Sequence, residues 1–83
     1  MNRNEYITQT LLNNLVGMKY RGNEIIETKQ VGETIVASYK KRRFRENLIF
    51  LPSSITYAFL GCERIKLVVS PGFGLHAEYV FEK

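Results

Sequence analysis

The spacing of apolar residues along this chain changes period once, and that change limits the elements it can form. Up to Val16 the spacing is helical. At 100° per residue, Ile7, Leu11, Leu12, Leu15 and Val16 fill about half of the circumference, and Gln9, Thr10, Asn13 and Asn14 fill the rest. From Tyr20 onward apolar and polar residues alternate with a period of two, as strands with one buried face require. The sequence therefore predicts an α+β fold: an N-terminal amphipathic helix followed by about five antiparallel strands.

Local signals sharpen this outline. Asn2 and Glu5 have the spacing of a capping box at the helix start, and Gly17 supplies a left-handed stop. Gly32-Glu33 suits a two-residue type II′ turn, which places Ile26 opposite Tyr39, Thr28 opposite Ala37 and Gln30 opposite Ile35. Glu27, Lys29 and Lys40 then occupy the other face of that hairpin, and residues 40–45 extend its second strand beyond its partner. Asn47 to Leu51 reads as a buried strand closed by Pro52. Ile55 to Leu60 has Ser54 and Gly61 as possible helix caps, but its β-branched and aromatic content favours a strand. In the final hairpin Ile65, Leu67 and Val69 alternate with polar residues, Pro71-Gly72 marks the turn, and Ala77, Tyr79 and Phe81 line the return strand.

At 83 residues the expected organisation is a single domain, residues 1–83, with a small core. One three-turn helix covers one sheet face, yet Leu48 to Leu51, Ile55 to Leu60 and Leu67 to Val69 are apolar at consecutive positions, as if buried on both faces. Either the sheet curls into a small barrel, or two chains pack together as a homodimer. A helix followed by five strands is similar in element order to small SH3-like or Sm-like barrels, an analogy that transfers no function.

Charge is the feature that points outside the chain. Lys40, Lys41, Arg42, Arg43 and Arg45 are five of its twelve basic residues; without them the net charge is −1, and with them it is +4. So concentrated a field attracts polyanions, and Tyr39 and Phe44 bracket it as candidates for stacking on bases. The competing reading is edge protection, since charged residues discourage an exposed strand from pairing with another sheet. Phe73, flanked by Gly72 and Gly74, either folds back to plug the core, the preferred expectation, or protrudes as an interface anchor. Gly72-Phe73-Gly74-Leu75 does not extend to the aromatic motif of the RNA-recognition fold, because Pro71, Leu75 and Glu78 occupy its basic and aromatic positions.

Catalytic chemistry finds little purchase. The chain has no Asp, one His and one Cys, so a His76-centred triad or a Cys62–His76 dyad lacks any local signature, and one Cys with one His cannot complete a structural zinc site. A ribonuclease-like arrangement of His76, Glu78 and an arginine is the residual enzymatic alternative. No apolar run approaches the length of a membrane span and no signal-peptide core follows the N-terminus, so the expected location is cytoplasmic with no membrane partner. The expected function is non-enzymatic, without cofactor or metal: contact with nucleic-acid phosphates through a basic strand edge of Lys40, Lys41, Arg42, Arg43 and Arg45. The alternative is a protein-interaction or inhibitory module acting through an apolar sheet face and the Phe73 turn.

Overall fold

The computed structural model describes Met1–Lys83, the side chain of Pro71 excepted. Helix α1 spans Arg3–Asn14. Its first turn is held by Asn2, whose Oδ1 accepts the Glu5 backbone N–H at 2.9 Å while its Nδ2 donates to Glu5 Oε1 at 2.9 Å. Ile7, Leu11 and Leu15 are buried and Leu12 is half-buried. Val16 departs from the expected stripe and is exposed, because the helix has ended at Asn14 and the 100° period no longer governs it. Gly17 takes φ 93°, and its N–H donates to Ile25 O at 2.9 Å, which turns the chain into the sheet.

Seven strands follow, not about five: β1 Lys19–Tyr20, β2 Asn23–Val31, β3 Thr34–Lys41, β4 Phe44–Phe50, β5 Ile55–Leu60, β6 Arg64–Gly72 and β7 Leu75–Glu82. All pairings are antiparallel, in the order β4-β3-β2-β1-β7-β6-β5. Two three-stranded meanders are thus joined through the two-residue β1. A strand so short carries no period, which is why the alternation from Tyr20 onward did not disclose it.

In the β2–β3 hairpin the register follows the pattern with one shift. Thr28 pairs with Ala37 and Gln30 with Ile35 as expected, with Gly32 at φ 61° in the turn. A bulge between Ile25 and Glu27 then sets Ile25, in place of Ile26, opposite Tyr39. Ile25 is fully buried and Ile26 is exposed. In β6 and β7, Ile65, Leu67 and Val69 lie opposite Phe81, Tyr79 and Ala77, but the strand runs on through Gly72 and the turn falls at Phe73-Gly74 instead of Pro71-Gly72. Ser54 N–H donates to Leu51 O at 2.8 Å in the single 3-10 turn Pro52–Ser54 that separates β4 from β5.

The sheet curls without closing: β4 and β5 are its free edges and do not pair with each other. Curling brings the inner faces of the two meanders together around one core. Phe50 of β4 meets Tyr79 edge-on at 4.9 Å and Phe81 at 6.0 Å, while Tyr20 lies 5.6 Å from Tyr39 and 5.5 Å from Phe81. The buried face of α1 completes this cluster. Thr28 Oγ1 donates to Leu12 O at 3.3 Å, and the Arg3 guanidinium donates to Ile55 O at 2.6 Å, so the helix is tied to both meanders. Burial on both faces of β4 is not observed. Phe50 is buried, but Ile49 is 66% exposed on the outer side of an edge strand.

Candidate nucleic-acid interface

The basic stretch forms the tip of a hairpin: Lys40 and Lys41 continue β3 past its last pair with β2, as expected from the sequence, but the strand ends there and the chain returns as β4 instead of running on to Arg45. Lys41 pairs with Phe44, so Arg42-Arg43 is a two-residue turn, with Arg42 at φ 59°. Neither residue announces such a turn, because Gly or Asn ordinarily fills a left-handed position. The reversal has a consequence for charge. Lys40 and Arg45 face each other as one cross-strand pair, Lys41 and Phe44 as the next, and Arg42 and Arg43 project from the end. Lys40 and Lys41 keep the alternation of a strand, and the turn sets Arg42 and Arg43 just beyond them, so all four cations lie at one end of the hairpin.

Arg45 separates from this group. Its Nη2 lies 3.1 Å from Glu27 Oε1, whereas among the described residues no carboxylate is in ion-pair range of Lys40, Lys41, Arg42 or Arg43. Phe44, at the same tip, is 73% exposed. Tyr39 is buried, and its hydroxyl donates to Glu46 Oε2 at 2.6 Å. That bond to a carboxylate, with burial and the Glu46 charge added, pushes the Tyr39 phenol up from 10.0 to about 12. Tyr39 therefore belongs to the core, and of the two bracketing aromatics Phe44 alone is free to stack.

Sequence reasoning missed Arg21. It begins the Arg21-Gly22 turn that joins β1 to β2, with φ 51° at Arg21 and 82° at Gly22. Asn23 and Lys41 both end their strands at this side of the sheet, so the two turns are separated by about two strand spacings, roughly 10 Å. The Arg21 guanidinium stacks 5.6 Å from the centre of the Tyr20 ring, and its charge reaches Tyr39, where it opposes the upward shift of the phenol. The result is a cationic rim built from two turns: Arg21 on one, and Lys40, Lys41, Arg42 and Arg43 on the other. No sequence pattern links residue 21 to residues 40–43; the β2–β3 pairing does.

The remaining candidates lie apart from this rim. Phe73 does not plug the core: its relative exposure is 103%, at φ 55° in the turn that closes β6 and β7. His76 and Ser70 are within 3.0 Å of each other on the exposed part of that hairpin, and Glu78 is engaged by Lys66 at 3.7 Å. Cys62 is exposed in the β5–β6 turn, at the other end of β6 from His76, so the two do not form a dyad. No metal-binding group of three or more His, Cys, Asp or Glu occurs among the described residues, and no helix is long and apolar enough to cross a membrane. A groove of about 740 Å³ runs beside α1 and is lined by Asn2, Glu5, Gln9, Asn13, Gln30 and Glu33 among others. With two carboxylates and no Lys or Arg side chain in its lining, it is a poor place for a polyanion.

The chain matches no known protein-family model, no curated protein and no solved structure.

Proposed function

We propose that this chain is a non-enzymatic binding protein that holds nucleic-acid phosphates on the rim formed by Arg21, Lys40, Lys41, Arg42 and Arg43. The observation that carries this reading is the placement of five cations, none of them in an ion pair, at two neighbouring turns, while the rest of the chain nearly balances its charges. Edge protection explains it less well. A blocking charge belongs along the open edge of β4, where Arg45 and Glu46 already serve, and not at the tip of a hairpin. Lys and Arg at projecting turns reach phosphates with little desolvation of either partner, and the exposed Phe44 ring adds a surface for a splayed base. The proposal includes a cytoplasmic location and a homodimer, the latter because Ile49, Tyr57 and Phe59 leave apolar surface on the outside of the curled sheet.

The test is whether the purified chain binds labelled oligonucleotides, and whether a variant with Lys40, Lys41, Arg42 and Arg43 all changed to Gln loses that binding while keeping its thermal midpoint. Undiminished binding by a folded quadruple variant refutes the assignment. One observation favours a second reading. Phe73 is fully exposed at a left-handed position, as an anchor for a protein pocket would be, and a partner captured there would be released by Phe73→Ala but little affected by salt.

A further inference from the structure

The two free edges of the sheet are not alike. β4 carries Arg45 and Glu46, whereas β5, Ile-Thr-Tyr-Ala-Phe-Leu, has neither charge nor proline over its whole length. The pairing of β5 with β6 shows which of its backbone groups are spare. Gly61 N–H donates to Arg64 O at 3.0 Å, and hydrogen-bonded pairs alternate along an antiparallel ladder, so Phe59–Lys66 and Tyr57–Val68 are bonded pairs. The N–H and C=O of Ala58 and Leu60 consequently point away from β6, off the end of the sheet. At the start of the strand the bulge at Ile55–Tyr57 breaks the pattern, and Arg3 occupies Ile55 O. Tyr57 and Phe59, each about half exposed at 54% and 51%, flank the spare groups on the outer face.

From these observations we infer that β5 is the surface through which this chain pairs with a second copy of itself, antiparallel, across a two-fold axis at Phe59. Ala58 of one protomer then exchanges hydrogen bonds with Leu60 of the other and the reverse, which uses every spare group in the regular part of the strand. Phe59 faces its own copy in the closely spaced, non-bonded position. A second copy is favoured over a foreign strand by the placement of charge. Each chain carries +4 and five cations outside any ion pair sit on the β1–β2 and β3–β4 turns, whereas beside β5 Arg64 and Lys66 are paired with Glu82 and Glu78, and Arg3 is held on Ile55 O. Two like-charged molecules therefore meet with least repulsion at β5. This inference specifies the contact of the homodimer proposed above and is independent of nucleic-acid binding.

Sedimentation of the nucleic-acid-free chain from micromolar to near-millimolar concentration is the test, combined with amide hydrogen exchange at both ends of that range. The expected result is a weight-average mass rising toward twice the 9.6 kDa protomer, with the Ala58 and Leu60 amides slowing at least tenfold in the concentrated sample. Phe59→Lys, which sets two ammonium groups opposite each other, and Ala58→Pro, which deletes a spare N–H without touching the β6 ladder, should each hold the chain monomeric. Phe59→Lys alters only a half-exposed side chain, so it remains informative if Ala58→Pro fails to fold. A monomer throughout the range overturns the inference. So does a dimer in which those two amides exchange at the same rate as in the dilute sample, or one that Phe59→Lys leaves intact.

Discussion

Salt dependence offers the most direct measure of how many cations on the two-turn rim meet phosphate. The geometry supplies five: Arg21, Lys40, Lys41, Arg42 and Arg43, with Arg45 withdrawn into its pair with Glu27. Each neutralised phosphate contributes about −0.9 to the slope of log K against log salt for duplex DNA and about −0.7 for a single strand, so the expected slopes are about −4.5 and −3.5. Raising salt from about 50 to about 200 mM should then weaken duplex binding about 500-fold and single-strand binding about 130-fold. Fluorescence anisotropy of a labelled oligonucleotide, titrated at five or six salt concentrations, resolves these values. Arg21→Gln should bring the duplex slope to about −3.6, although residue 21 lies far from the basic stretch in sequence. The double change Glu27→Gln with Arg45→Gln removes a neutral pair and should leave the slope unaltered. An unchanged slope for Arg21→Gln would show that the β1–β2 turn takes no part, and a slope lowered by about one in the double variant would return Arg45 to the site.

The Tyr39 phenol, held near 12 against an ordinary 10.0 by its bond to Glu46, favours the neutral form in the fold. Its contribution is therefore complete below pH 10 and is lost as pH rises through about 12; Tyr39→Phe should remove this alkaline limb in urea titrations and cost about 1–2 kcal/mol at neutral pH. Phe73→Ala should leave the thermal midpoint almost unchanged, and Phe73→Gly should stabilise the chain by about 1 kcal/mol, because a left-handed conformation costs any residue with a Cβ about that much. A loss of about 3 kcal/mol on Phe73→Ala would instead mean that the ring is packed. Arg21→Gly and Arg42→Gly together should raise stability by about 1–2 kcal/mol, read by chemical denaturation, while lowering the duplex salt slope by about 1.8. If both quantities fell, backbone strain at these turns would be excluded as the reason that arginine is costly there.

How much of this fold could be read beforehand depended on whether a signal was local. Asn2 and Glu5 capped the helix because a side-chain oxygen three residues from a free N–H needs no tertiary context. Gly32 set the β2–β3 register for the same reason, as far as Thr28 opposite Ala37. Beyond that pair the bulge at Ile26 exchanged which isoleucine is buried, and two adjacent isoleucines give alternation no means of choosing between them. β5 was legible from Thr56, Tyr57 and Phe59, whose β preference outweighed the possible helix caps. Its being an edge was not, since strand order is set by which faces pack against each other. Consecutive apolar residues in β4 likewise suggested double burial, when Phe50 turns inward and Ile49 simply remains on the outside.

The candidate site divides along the same line. Clustered charge was plain at residues 40–45, but its shape was not, because a hairpin tip at Arg42-Arg43 requires a left-handed arginine that no turn preference would nominate. Had the stretch continued as a strand, alternation would have set Arg42 and Arg43 on opposite faces as it sets Lys40 and Lys41; the turn instead carries both arginines to the end of the hairpin. Three non-glycine residues, Arg21, Arg42 and Phe73, take positive φ, each at a two-residue turn where glycine or asparagine would relieve the backbone. Chain reversal alone therefore does not account for the side chains chosen. Two of them are cations on neighbouring turns and the third is an aromatic in full contact with solvent, which are the groups that bind phosphate and fill protein pockets. Backbone strain retained at three projecting side chains, together with hydrogen-bonding partners for every buried side-chain polar atom among the described residues, locates the places where this chain departs from its own most stable sequence.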